Sequence, residues 1–162
     1  MFKLAYRSLM IVLALLLILI PVSAQTEGQH PVLQIPSIQF TALVVEIPLL
    51  NRSWDVSDLT DDVGHLGTTA WPDESGNVVL AGHDYDAFER LEEVRVGAEI
   101  VLHYEGARWV YLVDTIEQVS PRSILWAYPT QEDVITLITC AGANSEYRLI
   151  VRGSLLGFEL SD

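Results

Sequence analysis

The chain has 162 residues, half of them apolar, and a formal net charge of −13 at pH 7; that is one domain's worth of sequence, long enough to bury a sizeable core. So acidic a balance excludes nucleic acid and anionic membrane surfaces as electrostatic partners. A single cysteine excludes an internal disulfide framework and a thiolate zinc centre.

The first predicted element is a targeting segment over residues 1–24. Lys3, the only lysine, and Arg7 precede an unbroken apolar run from Leu9 to Ile20, and Pro21-Val22-Ser23-Ala24 places small residues where a signal peptidase cuts. A cleaved export signal and an uncleaved signal anchor both fit, and either sends the rest of the chain outside, because the positive charges precede the apolar run. Residues 25–31 read as a polar linker, and residues 32–160 as one β-rich domain. Val32–Ile35 and Ile38–Ile47 are apolar-rich and punctuated by Pro36 and Pro48, which suits strand ends. Asn51–Asp62 is polar, with Trp54 as the expected anchor into the core. Gly64-His65-Leu66-Gly67 and Trp71–Asn77 read as turns. Asn77–Ala81 is a short buried strand ended by Gly82-His83-Asp84. Tyr85–Val94 is the stretch expected to form a helix, since Phe88, Leu91 and Val94 recur every three residues. Glu99–Tyr104 and Arg108–Val119 form a hairpin turning at Glu105-Gly106, and Ser120–Asp133 is a longer connection carrying Trp126 and Tyr128. Many short strands, frequent Gly/Pro turns and little helix predict a closed β-barrel or sandwich.

Chemistry concentrates in Val134–Gly153. Cys140 ends an apolar β-branched run, seven loop-like residues follow, and Arg148 opens a second run. If the runs pair antiparallel, Cys140 and Arg148 face each other with Cβ atoms roughly 5 Å apart. Arg152 then lies about 13 Å further along, four residues at roughly 3.3 Å each. A lone cysteine is commonly a small buried hydrophobe; one at a strand mouth beside a guanidinium has the surroundings of a nucleophile. Of the four histidines, His30 lies in the linker and His103 in mid-strand. His65 and His83 both sit in Gly-His turns, and His83 directly follows a rigid buried strand. No spacing matches a metal site, and Asp84, Asp86 and Glu89 suit a solvated helix start; no metal or other cofactor is expected.

These residues carry a resemblance. Thr136-Leu137-Ile138-Thr139-Cys140 resembles the TLxTC signature of bacterial sortases, cysteine transpeptidases that attach proteins to the cell wall or to one another. Arg148-Leu149-Ile150-Val151 resembles the arginine-led strand after the signature, Asn77-Val78-Val79-Leu80-Ala81-Gly82-His83 the strand leading into the family's histidine, and Leu33-Gln34-Ile35-Pro36-Ser37-Ile38 its opening strand. The short hairpin loop and the run YRLIVRG look most like class D and E sortases. The resemblance implies an all-β fold, a closed eight-stranded sortase barrel with one or two short helices. It implies Cys140, His83 and Arg148 as catalytic residues, and Thr139, Trp126, Tyr128 and His65 as candidate substrate-binding residues. Cys140 would attack the Thr–Gly bond of an LPxTG-like or LAxTG-like sorting signal to give a thioester. An amine from a peptidoglycan precursor or a pilin lysine would then take the acyl group. The implied partners are exported proteins bearing a C-terminal sorting signal, the amine acceptor, and the membrane through the N-terminal segment. Two other functions fit the residues alone: a secreted cysteine hydrolase passing the acyl group to water, and a binding barrel with an inert Cys140.

Overall fold

The computed structural model describes residues 30–161; the targeting segment and all but the last two residues of the linker lie outside them. The chain runs through ten strands: β1 (Val32–Ile35), β2 (Phe40–Ile47), β3 (Leu49–Leu50), β4 (Ser53–Trp54), β5 (Val63–Leu66), β6 (Asn77–Ala81), β7 (Glu99–Tyr104), β8 (Ala107–Val119), β9 (Val134–Ala141) and β10 (Tyr147–Leu160). Eight of them close a barrel in the order β1-β2-β5-β6-β9-β10-β8-β7, with β7 returning to β1. β3 and β4 form a separate two-stranded ribbon. The all-β barrel expected from the sequence is therefore the fold.

Strand periodicity builds the core. Alternate residues Leu33 and Ile35, Val78 and Leu80, Ile100 and Leu102, Tyr111 and Val113, Ile135 and Leu137, and Leu149 and Val151 converge in one interior cluster. The opposite face of β9 is also covered, because Val134, Thr136 and Ile138 are buried although they stand outside that cluster. Cys140 shares their parity, so the thiol is on the outer face of the barrel.

Turn chemistry explains the hairpins. Glu105 and Gly106 take φ 48° and 71° between β7 and β8, and Asn51 and Arg52 take φ 52° and 65° between β3 and β4. Two successive positive φ values give the twist that two-residue hairpins require. β8 and β10, 13 and 14 residues long, pair from Arg148↔Val119 to Leu160↔Ala107 with two bulges.

Three local expectations are corrected. Gly64-His65-Leu66 is strand, not turn: Val63–Leu66 pairs parallel with β2 and antiparallel with β6. Its glycine serves closeness rather than turning, since a Cβ at Gly64 would lie 2.6 Å from Ile47 Cγ1. The expected helix over Tyr85–Val94 is a succession of turns ending in a 3₁₀ turn at Leu91–Glu93; with similar single turns at Pro36–Ile38 and Leu125–Ala127, these are the only helical pieces among the described residues. Phe88, Leu91 and Val94 are nevertheless buried. The bonds Glu89 N→Asp86 O, Leu91 N→Phe88 O and Val94 N→Leu91 O all span three residues, and a period of three stacks just such side chains on one face. Trp54 is half-buried and outside the core; Leu59 is the buried residue of its segment.

Candidate active site

The β9–β10 hairpin brings its two candidates together as the sequence predicts. The register places Arg148 opposite Cys140 and Arg152 opposite Thr136. Both Cys140 and Arg148 are half-buried. The Arg148 guanidinium makes a single long bond, 3.4 Å from Nη1 to the Tyr147 carbonyl, and among the described residues it has no carboxylate partner. A cation held by a strand and left without a counter-ion is ready for an anionic or carbonyl oxygen.

His83 arrives from the other neighbour of β9. β6 pairs parallel with β9, from Asn77↔Val134 to Ala81↔Ile138. The pairing extends past the strand end, because Gly82 N–H donates to the Ile138 carbonyl (3.1 Å) and the Gly82 carbonyl accepts from Thr139 Oγ1 (2.7 Å). The residue before His83 is thus fastened to the two residues before Cys140. Only glycine serves at position 82, since a Cβ there would lie 2.7 Å from the Phe88 ring. Beyond it, the His83 carbonyl accepts from Phe88 N–H (2.9 Å), and the imidazole stacks on Tyr85 with centroids 4.9 Å apart. His83 Nε2 lies 3.0 Å from the Val56 carbonyl.

Cys140, His83 and Arg148 line one groove of about 190 Å³, with Trp54, Val56, Leu66, Ile138, Thr139 and Trp126. A larger concavity of about 470 Å³, bordered by His30, Gln34, His103, Tyr104 and Ser161, contains neither Cys140 nor Arg148, so the smaller groove is the candidate site. Of the substrate-binding candidates, Trp126 and Thr139 reach it, although the Thr139 hydroxyl is spent on Gly82. Tyr128 is exposed and does not line it. His65 is not brought there either. Its ring is 1% exposed, stacks on Trp71 at 3.8 Å, and approaches the Ala70 carbonyl with Nε2 at 3.0 Å. Burial holds its pKa below the ordinary 6.5, against the opposing pull of the Ala70 bond and of Glu46 and Glu74. His65 is a core histidine because its strand, paired on both sides, turns the ring inward.

The sortase domain family model matches residues 33–156. The chain belongs to the sortase family. Sortase D of Bacillus subtilis (strain 168) is 32% identical over 122 residues, a match covering 74% of this chain and 57% of that protein, so the chain spans little more than half of that relative's length. Among solved structures, a Clostridium perfringens sortase D5 transpeptidase superposes with a TM-score of 0.69 at 25% identity over 80% of this chain and 79% of its own. Streptococcus agalactiae sortase C1 superposes with 0.70 at 28% identity over 85% and 75%. The barrel is thus a sortase barrel, and the structures it resembles include sortases of class D and of other classes.

Several residues of this sortase groove escape a reading by motif. Trp54 and Val56 enter it from the β3–β4 ribbon and the strap beyond, and Leu66 from the unexpected strand β5. A buried polar cluster stands behind it: Asn77 Nδ2 donates to the carbonyls of Trp126 (2.8 Å) and Tyr128 (3.1 Å), Thr136 Oγ1 donates to Asn77 Oδ1 (2.7 Å), and Arg152 donates to Thr136 Oγ1 and the Trp126 carbonyl (3.0 Å each). An asparagine opening an otherwise apolar strand was the sequence signal for it, because a buried amide demands partners.

Proposed function

We propose that this sortase is a cysteine transpeptidase whose nucleophile is Cys140, whose acid and base is His83, and whose oxyanion-binding group is Arg148. The observation that supports this is the convergence of the three on one groove, with Arg148 in register with Cys140 and the His83 turn bonded to the strand of the cysteine. The Cys140 thiolate attacks the carbonyl carbon between Thr and Gly of an LPxTG-like or LAxTG-like sorting signal, and the guanidinium receives the oxyanion. As the C–N bond breaks, the His83 imidazolium gives its proton to the departing amine, leaving a thioester. An amine of a peptidoglycan precursor or pilin lysine then attacks, the imidazole takes its proton, and the C–S bond breaks to return the thiolate. Residues 1–24 keep the enzyme at the outer side of the membrane as an anchor, or release it if cleaved. Trp126 walls the groove against the bound peptide.

The test uses the full-length chain in detergent, mixed with LPxTG and LAxTG peptides with and without amines, and followed by intact mass. The expected result is an acyl adduct on the wild-type chain that is absent from Cys140→Ala and resolved faster by one amine than by water. Equal resolution by water would make it a hydrolase. No adduct with any peptide, while a thiol reagent labels Cys140 readily, would overturn the assignment.

A further inference from the structure

The strap between β4 and β5 touches the imidazole from a direction that no sequence motif marks. Trp54 pins its start, donating Nε1–H to the Gly67 carbonyl at 2.8 Å, and Leu59, 6% exposed, pins its end. Between them Asp55 Oδ1 accepts from Ser57 N–H (3.1 Å) and Ser57 Oγ–H (2.6 Å), closing a turn around Val56. The Val56 carbonyl, so oriented, accepts from Leu59 N–H at 3.2 Å and lies 3.0 Å from His83 Nε2. A carbonyl oxygen has lone pairs and no proton, so Nε2 must carry the hydrogen of that contact.

We infer that the strap Asp55–Leu59 is a positioning element of the active site, in which the Val56 carbonyl fixes His83 as the Nε2–H tautomer and leaves Nδ1 as the nitrogen that exchanges protons with the substrate. This rests on the role proposed for His83. Nδ1–H of the imidazolium protonates the departing amine as its C–N bond breaks, and the bare Nδ1 accepts a proton from the incoming amine as the new C–N bond forms. Nε2–H stays on Val56 through both steps. The carbonyl thereby does what a buried carboxylate does in other nucleophile–histidine pairs: it sets tautomer and ring orientation. Asp55 and Ser57 act through Val56 and touch no substrate.

The test reads the tautomer directly. Histidine-labelled full-length chain is examined by long-range ¹H–¹⁵N NMR above about pH 8, where an ordinary imidazole is neutral. Wild type is expected to show His83 as Nε2–H; Nδ1–H would overturn the inference whether or not any peptide is turned over. The Asp55→Ala, Ser57→Ala double variant loses the turn and should show a mixture of tautomers. With the peptide that forms the thioester, its kcat should fall about fivefold, the loss expected of one hydrogen bond, with KM nearly unchanged. Asp55→Asn, which keeps Oδ1, should restore both signals. A double variant with wild-type tautomer and wild-type kcat would overturn the positioning role, and a lowered thermal midpoint beside them would leave the strap a structural loop.

Discussion

Arg148 contributes little to holding the protein together. Its one bond is long, its partner is its own neighbour's carbonyl, and no carboxylate among the described residues faces it. Arg148→Ala should therefore leave stability within about 0.5 kcal/mol, as surface substitutions do, and lower kcat/KM by on the order of 10² or more, as loss of an oxyanion donor does. Thermal unfolding beside a peptide assay checks both, and a collapse of the midpoint would mark a structural arginine instead. His65 is the reverse case, a histidine that serves the fold. Its folded pKa is depressed by burial, so the unfolded chain binds the proton first. Stability from this residue is complete above about pH 6.5 and is lost as pH falls from there towards the lower folded value. Thermal midpoints measured from pH 8 to pH 5 should fall, and His65→Gln, though less stable throughout, should give a flatter slope over that range.

At the level of elements, the β8–β9 connection is held by its backbone rather than by its aromatics. Asn77, Thr136 and Arg152 all end on the carbonyls of Trp126 and Tyr128, directly or through one another. Asn77→Ala leaves the carbonyl of Tyr128 without its donor and deprives Thr136 of its acceptor, which costs about 1–3 kcal/mol for a buried unsatisfied group. It also loosens the segment that carries Trp126 onto the groove wall. We expect KM for the peptide to rise about tenfold, equivalent to about 1.4 kcal/mol of binding, with kcat changed far less. A steady-state titration separates the two; a fall confined to kcat would mean that Asn77 acts on the chemistry instead.

Over the whole molecule, what was legible in the sequence divides by distance along the chain. The facing of Cys140 and Arg148 could be read because a short loop sets a hairpin's register locally. The β7–β8 turn was legible for the same reason, at Glu105-Gly106. β5 was not, because its pairing with β2 is parallel and its glycines look like turn signals until Ile47 is seen packed against Gly64. The same glycine-flanked pattern makes His65 resemble a site residue, whereas the strand buries it in the core. The face of Phe88, Leu91 and Val94 was visible as a period of three, while the hydrogen bonding that gives a 3₁₀ turn in place of an α-helix was not. The Val56 carbonyl lay beyond any reading of side chains, since every residue has one and only the strap's path selects it.

The parallel pairing of β6 with β9 carries a consequence for how the molecule comes into being. Gly82 and Thr139 are 57 positions apart, and between them the chain must complete β7, β8 and the long connection before β9 can dock. Closing so long a loop is a late and entropically costly event in folding. The hairpin faces Cys140 with Arg148 through contacts close in sequence, whereas bringing His83 beside them requires the long-range pairing of β6 with β9. With the role proposed for His83, catalytic competence therefore reports that the barrel has closed.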